Sequence, residues 1–350
     1  MTRSIFFGHD FFGAGNFGDD LMLEGFVRCA ASAGVRTTIV AGTPHDIASQ
    51  RRRFPTIRWF VDDPEVRDEQ LRACDVWLGL GDTPFQNESG PWSLDHLDRE
   101  RERCQRFGKP MVFLGVGCDS PEAVRDLRGR RVAETATRIW TRDARSAEAL
   151  GDVAASGVVE LGSDLAHITL GTGRRPAPER ALLGILLGLQ RAGIVDLEAL
   201  EQSLERRRRG STRWLVQEAR SFPCTERWNY ANLSERTRGA LQLMPLDYST
   251  DRSIDFLAYF GAPETVVSSR YHGALVAAWH GCRVSVIKRS DKLDGIVSDF
   301  EVPAVSRITS AAEFDALAQR AVPVDRARLE TLRQRAATMC DAFFAWLGET

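Results

Sequence analysis

The sequence predicts two α/β domains, each built on a parallel sheet covered by helices. Three observations carry this expectation. Short apolar runs alternate with amphipathic stretches along the whole chain, the pattern of parallel strands joined by crossover helices. The 350 residues exceed what one core usually serves. The segment Gly171-Thr172-Gly173-Arg174-Arg175-Pro176-Ala177-Pro178 interrupts the pattern near its middle with the composition of a linker. The expected division is residues 1–172, residues 173–324 and a C-terminal helix at 325–350.

Each element follows from its local pattern. In the first half, Ser4–Gly8, Thr37–Ala41, Ile57–Val61, Val76–Leu80, Met111–Gly115 and Arg138–Thr141 read as strands. In the second, Leu182–Leu189, Arg213–Val216, Leu241–Met244, Thr265–Ser268 and Arg283–Ile287 do. Near-continuous apolar runs of this length fit strands buried on both faces. Helices are expected between them, at 19–33, 64–73, 92–107, 121–135, 143–150, 195–209, 251–261, 272–280, 292–299, 311–320 and 325–347. In open sheets of this kind ligands sit at the carboxyl ends of strands, so the cleft between the two domains is the expected site. The arginine-rich last helix either crosses back onto the N-terminal domain or makes a dimer contact, which leaves a homo-oligomer open.

Composition narrows the function. Hydrophobic content of 43% and charged content of 27% are those of a globular protein. With a net charge of −2 and only Arg206 to Arg209 as a basic cluster, no nucleic-acid partner is expected. The 43 arginines against three lysines reflect genome composition. No apolar run approaches the ~20 residues of a membrane span, and the chain begins without a signal peptide. Seven scattered cysteines without a CxxC pair read as reduced thiols of a cytoplasmic protein, with no zinc site. His9-Asp10 and Asp19-Asp20 end the first strand and open the next helix, but their spacing defines no metal centre.

The most informative stretch runs from Val266 through Ser268-Ser269-Arg270-Tyr271-His272-Gly273 to Gly281. A buried strand ends in two serines and turns at once into an apolar helix. A helix N-terminus presents unsatisfied N–H groups and the positive end of the dipole, so it favours an anion. Arg270 adds a fixed, two-pronged cation. His272 adds a proton carrier that works near neutral pH.

Glycine turns follow three strands of the first half. Gly13-Ala14-Gly15-Asn16-Phe17-Gly18 satisfies GxGxxG, yet Asp19 and Asp20 would repel a pyrophosphate. The acidic residue required at the end of the next strand is also missing, since that strand ends Val40-Ala41-Gly42. The loop therefore reads as a tight turn with Asn16, Asp19 or Asp20 facing the cleft, or capping the helix. Gly79-Leu80-Gly81-Asp82-Thr83 and Gly115-Val116-Gly117-Cys118 are places where backbone approaches a neighbour or ligand closely. In Thr141-Arg142-Asp143, Asp143 is the expected cap and Arg142 the cation at the sheet's carboxyl edge.

Together these segments resemble the polysaccharide pyruvyl transferase family. The resemblance rests on residues 13–23, 78–86, 112–117, 141–150, 161–166, 268–287 and 291–300, which run in the family's order across nearly the whole chain. It implies two facing Rossmann-like domains of GT-B-like architecture with an interdomain cleft. It also implies transfer of the enolpyruvyl group of phosphoenolpyruvate onto a sugar or glycoconjugate, with no cofactor beyond that donor. Carried over by position, Arg142 and Arg270 bind the donor's anions, His272 is the acid–base residue, and Lys292 adds a phosphate contact. Asn16, Asp19, Asp20, Asp82 and Ser269 complete the expected substrate-binding set. Departures are Leu80 and Asp82 in a turn where relatives more often carry a plain glycine run, and the bulk of Trp279 and His280. The aromatic, polar segment Gln217 to Asn232 either lines an acceptor pocket or packs on itself.

Two other readings remain open on the sequence. A glycosyltransferase using a nucleotide sugar would need a ribose-binding carboxylate, for which Asp247, Asp251 or Glu264 would serve. A relative without catalysis would act as a binding subunit, against which the presence of Arg142, Arg270 and His272 argues. A dinucleotide-dependent oxidoreductase ranks behind both.

Overall fold

The computed structural model describes residues 2–8, 12, 15–43, 47–87, 90–172, 179–188, 193–219, 223, 225–244, 246, 260 and 263–350. The linker at 173–178, His9-Asp10, Gly13, Asp247, Asp251 and most of the helix expected at 251–261 lie outside the described residues. Packing divides the chain into two units: unit 1 is Met1–Ala14, Asp19–Thr169 and Thr331–Thr350, and unit 2 is Gly15–Gly18 and Leu170–Glu330.

Unit 1 carries seven parallel strands: β1 (Thr2–Phe7), β2 (Arg36–Thr43), β3 (Ile57–Val61), β4 (Val76–Leu80), β5 (Met111–Val116), β6 (Arg138–Thr141) and β7 (Val159–Leu161). Their order is β3-β2-β1-β4-β5-β6-β7. The helices between them are α1 (Phe17–Ser32), α2 (Ile47–Arg53), α3 (Pro64–Ala73), α4 (Trp92–Phe107), α5 (Pro121–Arg125), α6 (Leu127–Thr135), α7 (Ala144–Gly151) and α8 (Ala166–Thr172). Every residue of β4 and β5 is buried, which explains their unbroken apolar sequence.

The helix expected across 121–135 is two helices. Asp126 leaves helical geometry at ψ 142°, and its carboxylate accepts from the Arg128 N–H, capping the second helix. The strand β7 is short, partly exposed and reads V-E-L, too little pattern to register as a strand in the sequence.

Unit 2 repeats the plan with β8 (Glu179–Leu186), β9 (Thr212–Trp214), β10 (Gln242–Leu243), β11 (Pro263–Ser268), β12 (Arg283–Ile287), β13 (Ala304–Val305) and β14 (Val322–Pro323). Its order is β10-β9-β8-β11-β12-β13, with β14 antiparallel on β12. The helices are α9 (Leu197–Glu205), α10 (Glu226–Ala231), α11 (Glu235–Ala240), α12 (Tyr271–His280), α13 (Lys292–Phe300) and α14 (Ala311–Arg320); the last helix, α15 (Arg326–Glu349), starts in unit 2, and its residues from Thr331 on belong to unit 1. Both sheets therefore share one doubly wound order, third-second-first-fourth-fifth-sixth. Each has a switch point between its first and fourth strands, β1/β4 in unit 1 and β8/β11 in unit 2, where such sheets open a crevice. The chain has the two-domain α/β fold that the alternation predicts.

Each unit has a dense interior. In unit 1 the Trp77 ring meets Phe113 edge-on at 5.3 Å, and its indole N–H donates to Glu100 Oε2 at 2.8 Å. The last helix supplies part of the same unit: Phe26 of α1 packs on Phe343 and Phe344, and Trp140 meets Phe343 edge-on. In unit 2, α12 is buried at all ten residues, as expected for a helix apolar on every face.

Candidate functional site

The switch point of unit 2 holds the strand-to-helix turn singled out in the sequence. The strand β11 ends at Ser268, Arg270 is the N-cap position of α12, and His272 lies in the first turn. Both serines are used by the backbone. Ser268 Oγ accepts from the Arg270 N–H at 3.1 Å and donates to the Arg270 carbonyl at 2.9 Å. Ser269 Oγ donates to the Gly188 carbonyl at 3.0 Å, across the switch point from β11 to the end of β8. Ser269, expected as a ligand contact, thus spends its proton on tying the two strand ends together.

Arg270 is 9% exposed, and its Nε donates to the fully buried carboxylate of Glu226. The pair lies directly on Gly188: a Cβ there would come within 2.1 Å of Arg270 Nε and 2.5 Å of Glu226 Oε1. The other carboxylate oxygen of Glu226 accepts from the Glu218 N–H at 3.2 Å. The Asn229 amide donates to the Leu187 carbonyl at 2.7 Å, so α10 is fastened beside the end of β8.

His272 is buried at 5% exposure, with its ring against the Cα of Gly18. A Cβ at Gly18 would stand 2.2 Å from Nδ1 and 2.8 Å from the histidine's own Cβ. Gly18 is held there by pairing with a segment distant in sequence. Residues 15–17 run beside 217–219, with Phe17 N–H donating to the Gln217 carbonyl at 3.1 Å and Ala219 N–H to the Gly15 carbonyl at 2.6 Å. Asn16 Oδ1 accepts from the Gly18 N–H and from the Gln217 amide. Asn16, expected to face a ligand, is the clip of this pairing.

Unit 1 presents a second buried arginine. Arg142 follows β6, and Asp143 caps α7 through the Ser146 N–H at 2.8 Å. Arg142 is 2% exposed, donates from Nη2 to Thr83 Oγ1 at 3.0 Å, and lies 3.5 Å from the Asp143 carboxylate. Its guanidinium rests on Gly117, where a Cβ would be 2.7 Å away. Asp82 is half-buried with φ 58°, one of two non-glycine residues in left-handed geometry among those described, and its carbonyl accepts from the Gly117 N–H. The glycine turns at 79–83 and 115–118 thus meet beneath Arg142.

The remaining candidates are placed differently. Asp20 is fully buried in an ion pair with Arg53 at 2.7 Å, inside unit 1. Asp19 is buried in the first turn of α1, where it suits the helix dipole. Lys292 is half-buried at the start of α13. Glu264 lies at the opening of β11, four strand steps or roughly 13 Å from Ser268. It is at the opposite sheet edge from Arg270, so it cannot serve a ligand at that turn. Sequence reasoning missed Gly188 and the buried Arg289, which leaves the same sheet edge as Arg270 because Ser268 pairs with Val286; it held Gly117 and Thr83 only as members of glycine turns and Glu226 only within the 217–232 segment. The available signal was a glycine one or two residues past a strand, at 117 and 188.

Among the described residues, no group of three or more His, Cys, Asp or Glu could hold a metal ion. None of the helices described is long and apolar enough to cross a membrane.

Two doubly wound domains, one carrying a cation and a histidine at a helix start, make up a GT-B-like α/β fold. The sequence model of the polysaccharide pyruvyl transferases matches residues 16–291, and the chain belongs to that family. Solved structures share the fold. Anabaena HepE in complex with UDP and glucose superimposes with a TM-score of 0.63 at 11% identity, covering 99% of this chain and 100% of its own. A putative UDP-N-acetylglucosamine 2-epimerase from Listeria monocytogenes gives 0.60 at 12% identity, covering 99% and 94%. The UDP-GlcNAc 2-epimerase of Methanocaldococcus jannaschii gives 0.57 at 8%, covering both chains fully. No curated protein matches the chain.

Proposed function

We propose that the protein moves the enolpyruvyl group of phosphoenolpyruvate onto two hydroxyls of a sugar or glycoconjugate, forming a pyruvate ketal and releasing phosphate. The observation that carries this reading is the pairing of a buried arginine with a buried histidine, two residues apart, at the N-terminus of α12. Family membership supports it. The donor carries a carboxylate and a phosphate, and a helix start with a guanidinium beside it suits either.

In this reading His272 protonates the methylene carbon, which makes C2 electrophilic. One sugar hydroxyl adds to C2, the C2–O bond to phosphate breaks, and the second hydroxyl closes the ketal. Of the two hydroxyl protons, one restores His272 and the other leaves with phosphate. Arg270 stabilises the charge on the departing group. Arg142 and Lys292 are further anion-binding candidates, and the acceptor is a carbohydrate.

A second reading, a nucleotide-sugar transferase, draws on the UDP-bound structures that share the fold. Its ribose partner would not be Glu264, for the reason of placement given above. Thermal-shift titration with phosphoenolpyruvate, UDP and GDP separates the two. Stabilisation by phosphoenolpyruvate, absent in Arg270→Ala, is the expected result. His272→Ala should keep donor binding and lose turnover by ~10²–10⁴-fold. Stabilisation by UDP alone overturns the donor assignment.

A further inference from the structure

We propose that Glu226 is the positioning residue for Arg270, and that Gly188 is the seat on which the pair is held. The inference rests on the reading that Arg270 meets the donor's anion. Glu226 is a fully buried carboxylate in the first turn of α10. Its main chain is fixed on two sides: the Trp214 indole donates to its carbonyl at 3.0 Å, and Thr225 caps the helix through the Trp228 N–H. Its side chain is fixed at both oxygens, one by Arg270 Nε and one by the Glu218 N–H.

These contacts leave the guanidinium one place to lie. The carboxylate grips its Nε, and the Gly188 backbone passes beneath both groups with no room for a side chain. An arginine ordered before the ligand arrives binds an anion without first losing its own rotamer freedom. The carboxylate also offsets part of the guanidinium charge, which lets a divalent product depart. Ser269 bonds the same Gly188 carbonyl, so the seat and the α12 turn move as one piece. Unit 1 uses the same device, with Arg142 lying on Gly117 at the end of a neighbouring strand.

The test is calorimetric titration of wild type, Arg270→Ala, Glu226→Gln, Glu226→Asp and Gly188→Ala with phosphoenolpyruvate and, separately, with UDP. For whichever probe binds wild type, Glu226→Gln and Gly188→Ala should weaken binding at least tenfold, and Glu226→Asp should recover part of the loss. In steady-state turnover the same variants should raise KM for the donor more than they lower kcat. Should Glu226→Gln fail to fold, Gly188→Ala decides, because it keeps both charged partners and only displaces the guanidinium. Wild-type affinity in a folded Gly188→Ala or Glu226→Gln overturns the inference. Binding of UDP but not phosphoenolpyruvate by wild type overturns the donor reading instead, and the variants are then compared on UDP.

Discussion

His272 shows how a single missing methyl group makes room for a buried imidazole. The imidazole occupies the space that a Cβ on Gly18 would fill, and the clash would reach the histidine's Cγ and Cβ as well as Nδ1. Gly18→Ala should therefore turn the ring away and lower kcat by a factor approaching the loss in His272→Ala. In the proposed reading, donor binding through Arg270 should change little, since Gly188 and Glu226 are untouched. Parallel kinetics and thermal shifts on the two variants test this. A Gly18→Ala protein with full turnover would mean that the ring tolerates displacement, and the acid–base role would have to move elsewhere.

At the scale of elements, α3 and α4 are joined to the end of β1 by a buried charge network. Arg67 makes paired bonds to both oxygens of Glu100 at 3.0 Å and reaches the Gly8 carbonyl at 3.0 Å. Arg103 adds a bond to Glu100 Oε1 at 2.6 Å. Burial alone would raise the Glu100 carboxyl above its ordinary value, but Arg67, together with His96 and the Trp77 indole, holds it down at about 2. A carboxyl depressed in the folded state stabilises above its unfolded pKa, near 4.5, and that stability is lost as pH falls toward 2. Its size is on the order of 3 kcal/mol. Denaturant melts of wild type and Glu100→Gln between pH 7 and pH 2.5 should show the variant less stable at neutral pH, with the gap narrowing below pH 4.5. A constant gap would mean that the charge on Glu100 contributes nothing.

Elements also mark how far the sequence could be read. The central strands β4 and β5 were visible because burial on both faces leaves an unbroken apolar run. The two-residue strands β13 and β14 exist only through pairing with β12, so no local pattern announces them. Arg270 and His272 stood out because a turn's chemistry is local. Glu226 did not, because its partner lies 44 residues away and its neighbourhood reads only as an aromatic, polar segment that lines an acceptor pocket or packs on itself. The loop at 15–18 was legible as a tight turn, but its pairing with 217–219 depends on contacts across about 200 residues.

At the scale of the molecule, both units reach the same strand order from sequences with different glycine turns. Fold class therefore follows from alternation alone, while function follows from what stands at the strand ends. Unit 1 is completed by residues distant in sequence: Phe343, Phe344 and Leu347 of α15 are buried, and Phe343 packs against Phe26 and Trp140. Phe343→Ala should destabilise unit 1 by about 3–5 kcal/mol. A lowered urea midpoint with unchanged strand content would show it, and an unshifted midpoint would mean that α15 is dispensable to that core.

The same arrangement sets an order of events during synthesis. Residues 331–350 leave the ribosome only after all of 170–330. Unit 2 can close while the first-made strands still lack the helix that covers Phe26 and Trp140. The half translated first is thus finished last, and for that interval its apolar surface is the one a chaperone would have to shield.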